Sequence, residues 1–214
     1  MLVVLAVLGA VVALWLVRAL LPRLAHRAFV AGRFAQARRR YRLIALASLS
    51  RRRRAAAQVS IAGAWLAEGR HADGDAALAV VDDAHLEPAT RAGWLNNRAY
   101  AALRRGVRGD AARPALAWVR EALALRPDVP GLLHTEGLAL HAVGDPEAAV
   151  RAFEAMWTQG EPAPLLEAER CYDLARAWAD LGHRDYAADY LERARRSAPG
   201  SPWATSAAAF DPAA

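Results

Sequence analysis

The sequence contains no lysine: all 28 of its basic residues are arginine. That uniformity reads first as the bias of a GC-rich genome and only second as a functional choice. There is one cysteine, Cys171, so neither an intramolecular disulfide nor a cysteine-based zinc site can be built. A single thiol fits a reducing compartment. No acidic residue occurs before Glu68. Beyond residue 20 the β-branched side chains thin out while alanine and leucine dominate, which favours helices over sheets. Also missing are an HExxH pair, a glycine-rich phosphate loop, a nucleophile elbow and any metal-spaced Cys/His set. The expectation is therefore a non-enzyme with no catalytic residue, no metal ligand and no cofactor. Asp82, Asp83 and His85 cluster near a turn and read as a solvated loop.

With 214 residues, 55 % hydrophobic and 23 % charged, the chain is long enough for one domain with a real core and an anchor besides. The net charge of +6 conceals a split. Twelve arginines precede Glu68; the other 16 face all 22 acids, a balance of −6. A basic N-terminal third is joined to a mildly acidic remainder, so the high isoelectric point is not a nucleic-acid signature by itself.

Residues 1–17, MLVVLAVLGAVVALWLV, carry no polar side chain except the indole of Trp15. With Arg18 snorkelling, the apolar run reaches Leu21 and stops at Pro22. Twenty residues at about 1.5 Å each match a bilayer core of roughly 30 Å. A transmembrane helix over 1–21 is the reading. A cleavable signal peptide, which normally begins with a basic region, and a soluble core helix, usually shorter and amphipathic, are the alternatives. Arginines follow the run and none precedes it, so the positive-inside rule puts the remainder in the cytoplasm, on the inner membrane. Trp15, Arg18, Arg23, Arg27, Arg38, Arg39, Arg40, Arg51, Arg52, Arg53 and Arg54 then become membrane-surface candidates facing anionic lipids, at about 1 kcal/mol per cation near the headgroups. A nucleic-acid or ribosome grip by Arg38–Arg42 and Arg51–Arg54 is the alternative, weakened by few aromatics to stack on bases.

The rest of the chain repeats itself. GDPEAAVRAFEAM (Gly144–Met156) aligns without a gap on GHRDYAADYLERA (Gly182–Ala194) at an offset of 38. Each has a small residue five after the glycine (Ala149, Ala187), then a large apolar one (Phe153, Leu191), then Met156 or Ala194. Ala115, Val119 and Ala122 stand 34 residues before Ala149, Phe153 and Met156. Pro127 and Pro199 close their units at the same place. The pattern weakens over 56–88, and Gly32–Leu46 carries a further half-unit with Ala37 and Tyr41 at second-helix positions. Cys171 falls at an inward position of a first helix, where a thiol is a small hydrophobe.

These residues resemble the tetratricopeptide repeat family, a helix–turn–helix of about 34 residues with small residues where the helices cross. The resemblance is strongest over 131–199 and good over 92–127. It implies an all-α protein: an α-solenoid over 56–199, a basic segment and possible first repeat over 22–55, and a C-terminal tail over 200–214. It also implies that the first helix of each repeat lines a concave groove. Its candidate side chains are Asn96, Asn97 and Tyr100; His134, Thr135, Leu138 and His141; and Tyr172, Asp173, Arg176 and Asp180. Amides, imidazoles and a phenol beside an apolar residue suit a peptide better than a small apolar ligand. Family members that clamp a C-terminal carboxylate need Lys, Asn and Arg at set positions. Only Asn97 matches, while Val59, Gly63, Gly131 and Thr135 hold the others. The expected role is a membrane-anchored scaffold or assembly factor for a protein partner, or a non-catalytic subunit of a membrane complex.

Overall fold

The computed structural model describes residues 15–160 and 162–212, together with Val4 and Gly9. Its α-helices, in chain order, begin with α1 (Leu21–Val30), α2 (Phe34–Ala47), α3 (Arg51–Ala67) and α4 (His71–Ala79). Then follow α5 (Pro88–Arg104), α6 (Arg113–Leu125), α7 (Pro130–Val143), α8 (Pro146–Ala155), α9 (Pro164–Asp180), α10 (Arg184–Ser197) and α11 (Pro202–Ala209). No strand occurs among the described residues. The chain divides into two compact units, Met1–Ala101 and Ala102–Ala214.

In the first unit, sequential helices pack as neighbours: α1 on α2, α2 on α3, α3 on α4. The α1–α2 turn is made at Gly32, whose φ of +69° suits a residue without a Cβ. Small side chains carry the crossings, with Ala25, Ala28, Ala37, Ala62 and Ala64 fully buried. The aromatic anchor here is Trp65, sandwiched between the guanidiniums of Arg38 (3.5 Å) and Arg70 (4.1 Å).

This geometry corrects the N-terminal expectations. No helix among the described residues is long and apolar enough to cross a membrane, so the single-pass inner-membrane placement falls. Most of residues 1–14 lies outside the described set. From Leu16 onward the reason is local. Leu16–Leu20 is a π-helical turn carrying Arg18, and α1 is ten residues long with Pro22 in its first turn. At about 1.5 Å per residue α1 spans roughly half a bilayer core. It buries Ala25 and Ala28 against protein while exposing Arg23 and Arg27. Arg38 is not a surface residue either. It is 6 % exposed, pairs with Glu68 at 2.7 Å and donates to the Ala64 carbonyl at 3.3 Å. Arg40 bends back to donate to the Leu24 carbonyl at 2.6 Å.

The second unit contains the strongest copies of the repeat. Asp145 caps α8, its carboxylate accepting from the Ala148 N–H at 3.0 Å. Gly144 ends α7 in the left-handed region, φ +92°. Helices α7 and α8 cross so closely that a Cβ on Gly137 would lie 2.6 Å from the Phe153 ring. Phe153 is fully buried as a result. The α9–α10 hairpin repeats the plan, with Cys171, Ala175, Leu191 and Ala194 in its core. The tail is a capping helix: Ser201 Oγ accepts from the Ala204 N–H at 3.1 Å, and α11 lays Ala204 and Ala207 on the end of the stack.

Candidate functional site

In the second unit, α7 and α9 present a polar cluster built around a residue the sequence pattern does not single out. Arg104, the last residue of α5, extends to α9, 65 and 69 positions along the chain. Its Nη2 donates to Glu169 Oε1 at 2.6 Å and its Nη1 to Asp173 Oδ1 at 3.0 Å, with a second bond to Asp173 Oδ2. Asp173 Oδ2 also lies 3.2 Å from Nε2 of His134 on α7. The indole of Trp203, from α11, stacks on the Arg104 guanidinium at 4.4 Å. Arg104, Glu169 and Asp173 expose 9 %, 11 % and 1 % of their side chains, and His134 2 %.

Electrostatics explain why four polar groups survive together out of water. Burial alone would raise the Asp173 carboxyl, but the Arg104 charge and the hydrogen bonds from His134 and Arg104 hold it far below the ordinary carboxylate range. An ionised Asp173 only accepts, so His134 Nε2 carries the proton of their shared bond. His134, Glu169 and Asp173 also bring three ligand atoms within 4.8 Å of one another. Their donor set does not fit a metal centre, because the Arg104 guanidinium already supplies the positive charge on both carboxylates. A divalent ion would have to displace it.

The sequence-derived groove residues divide accordingly. His134, Thr135, Leu138 and Asp173 are buried and belong to the interior. Thr135 spends its hydroxyl on the Gly131 carbonyl, 3.1 Å away. Tyr172, Arg176, His141 and Asp180 reach the surface. His141 Nε2 meets Asp180 Oδ2 at 2.6 Å, tying α7 to α9. Arg176 lies over the Tyr172 ring at 6.0 Å, and Tyr172 meets Trp203 at 5.9 Å and Phe210 at 6.3 Å. Arg108 completes the patch; its pKa is lowered first by burial, then by the charges of Arg176 and Arg104.

The first unit holds the other three candidates. Asn97 Nδ2 sits in the notch left by Gly63 and donates to the Val59 carbonyl at 3.5 Å. Tyr100 packs edge-on to His71 at 5.9 Å. The Asn96 Oδ1 is shielded from water without a donor. Glu169 and Trp203 join Arg104 as residues that sequence reasoning missed. One signal was available for Glu169: it precedes Asp173 by four, so both acids share one helix face.

A second buried network lies between α9 and α10. Arg170, 1 % exposed, grips Glu167 with two bonds of 2.8 Å, and Arg193 adds a third at 2.8 Å. Cys171 donates to the same carboxylate at 3.1 Å. Burial and then the Glu167 charge push its thiol up to about 12. That is a packed hydrophobe and not a nucleophile.

No family model matches the chain, and no curated protein sequence matches it. Solved structures do. TTC0263, a thermophilic TPR protein of Thermus thermophilus, is 16 % identical over 88 % of this chain and 96 % of its own, with a TM-score of 0.64. PilF of Pseudomonas aeruginosa is 20 % identical over 88 % of this chain and 80 % of its own, with a TM-score of 0.54. The likeness shows the fold: the chain is an all-helical, tetratricopeptide-like solenoid, as its repeats imply.

Proposed function

We propose that this chain is a protein-interaction scaffold that receives a peptide of its partner along the face of α7 and α9. The observation that carries the reading is the spacing of Tyr172, Arg176 and Asp180 at every fourth position of α9, with His141 of α7 locked to Asp180 at 2.6 Å. These side chains offer an aromatic surface, a cation and a carboxylate on one helical face. Beneath them the Arg104 network fixes α9 against α7, so little side-chain order is left to impose on binding. The chain performs no chemistry of its own in this reading. A nucleic-acid tether has less support, because Arg38 and Arg40 are engaged inside the first unit and Arg52 pairs with Glu87.

The test is capture of a partner by tagged full-length protein after nuclease treatment, against the double variant Arg176→Ala/Asp180→Ala. Asp180 is exposed and Arg176 keeps only a long, 4.0 Å pair to Asp173, so the helical signal should hold and the melting temperature fall only slightly while a stoichiometric partner is lost. Undiminished capture by the variant would move the binding face elsewhere.

A further inference from the structure

A cavity of about 330 Å³ lies in the first unit, between Pro22, α2 and α3. Its volume falls in the range of small-ligand sites, roughly 300–1,000 Å³. Pro22, Tyr41, Ile44 and the buried Ala57 line its more sheltered side, and the exposed Arg18 and Arg53 mark its open mouth. Ala57 is 5 % exposed, Pro22, Tyr41 and Ile44 are half-buried, and burial raises the Tyr41 hydroxyl above its ordinary pKa, so this wall is the sheltered side.

The polar inventory decides what can occupy it. Three serines also line the space: the Ser48 and Ser60 hydroxyls donate to their own helices, to the Ile44 carbonyl at 2.6 Å and the Ala56 carbonyl at 3.1 Å, and Ser50 stands at an exposed position. The larger part of the lining, Pro22, Ile44, Ala47, Leu49, Ala56 and Ala57, is apolar, so a sugar, nucleotide or peptide backbone lying along it would find few partners for its polar groups. An aliphatic chain has no such groups. The mouth asks for the opposite. Arg18 and Arg53 are exposed, and among the described residues neither is paired with a carboxylate. Glu87 shares a neighbouring hollow with Arg53 but pairs with Arg52. Leu49 at the lip is 91 % exposed, an apolar surface awaiting cover.

We infer that this cavity binds a single-chain anionic lipid, with its aliphatic chain against Ile44 and Ala57 and its carboxylate between Arg18 and Arg53. The site is separate from the α7–α9 face and does not depend on it.

Sodium dodecanoate, below its micelle concentration, tests the assignment by calorimetric titration into the full chain. One site per chain is expected. Octanoate should bind about two orders of magnitude more weakly, since each buried methylene contributes about fourfold. Arg18→Gln/Arg53→Gln, both at exposed positions, should weaken dodecanoate about tenfold. Ala57→Trp, which fills the cavity, should abolish binding. Any of four results would overturn the proposal. These are equal affinity for uncharged dodecanol, unsaturable uptake of many molecules per chain, no binding of the monomer alongside binding to anionic phospholipid vesicles, and no binding at all.

Discussion

Removing Arg104 should be the most damaging single truncation of a polar side chain in the second unit. Arg104→Ala deletes both bonds to Asp173 and the one to Glu169, and leaves two carboxylates facing each other where 1 % and 11 % of their side chains meet solvent. Breaking a buried ion pair by taking one partner typically costs about 3–5 kcal/mol. Trp203 also loses the cation it stacks on. For a chain of 214 residues that loss corresponds to a melting temperature lower by roughly 6–20 °C. The pH dependence carries the sharper test. In the native chain the Asp173 carboxyl is held low, so its stabilisation is complete above the unfolded value, about 3.9, and is lost as pH falls toward the folded one. In the variant only His134 at 3.2 Å and the more distant Arg176 at 4.0 Å remain beside Asp173, burial dominates, and the folded carboxyl is raised, so acid relieves the strain of a poorly paired charge. The stability gap between the two proteins should therefore narrow from pH 7 to pH 4, followed by denaturant melts monitored by circular dichroism. A gap under about 1 kcal/mol at pH 7, the value of a solvated surface pair, would refute the reasoning, as would a gap that widens in acid.

Two further tests follow from the packing. The Cys171 thiol, buried and pushed up to about 12, should react with a disulfide reagent at neutral pH only as fast as the chain unfolds, and at once in denaturant; rapid labelling of the native protein would contradict its placement. Gly137→Ala gains about 1 kcal/mol of helix propensity but forces a Cβ to within 2.6 Å of the Phe153 ring, and overpacking of that kind costs about 1–3 kcal/mol. The net should be a loss in melting temperature, and a stabilised variant would show that α7 and α8 do not cross at this point.

The repeat was legible because it is written in small residues. Gly137, Ala149, Ala175 and Ala187 recur where helices approach closely, and Gly144 and Gly182 recur where the chain turns with positive φ. Cys171 was legible as an inward position for the same reason. The polar cluster was not. Periodicity places His134 and Asp173 on the same kind of helix face as Tyr172 and Arg176, yet the network anchored by Arg104 buries the first two and leaves the others half-buried. Nothing local to Arg104 signals a partner 69 residues away. The arginine-rich segment misled in a related way. Composition makes its cations look interchangeable, whereas Trp65 and Glu68 draw Arg38 inward and leave Arg51, Arg53 and Arg54 outside. At the N-terminus, a count of apolar residues sees a span and overlooks the π-helical turn, Pro22 and the buried alanines that commit the chain from Leu16 onward to the helical stack.

The central claim is that a partner lies along α7 and α9. Hydrogen exchange of the full-length chain, free and with its captured partner, tests it most directly. The account predicts added protection in 130–143 and 164–180 and none in the second helices, 146–155 and 184–197. Protection confined to α8 and α10, or to the arginine-rich segment 33–54, would contradict it.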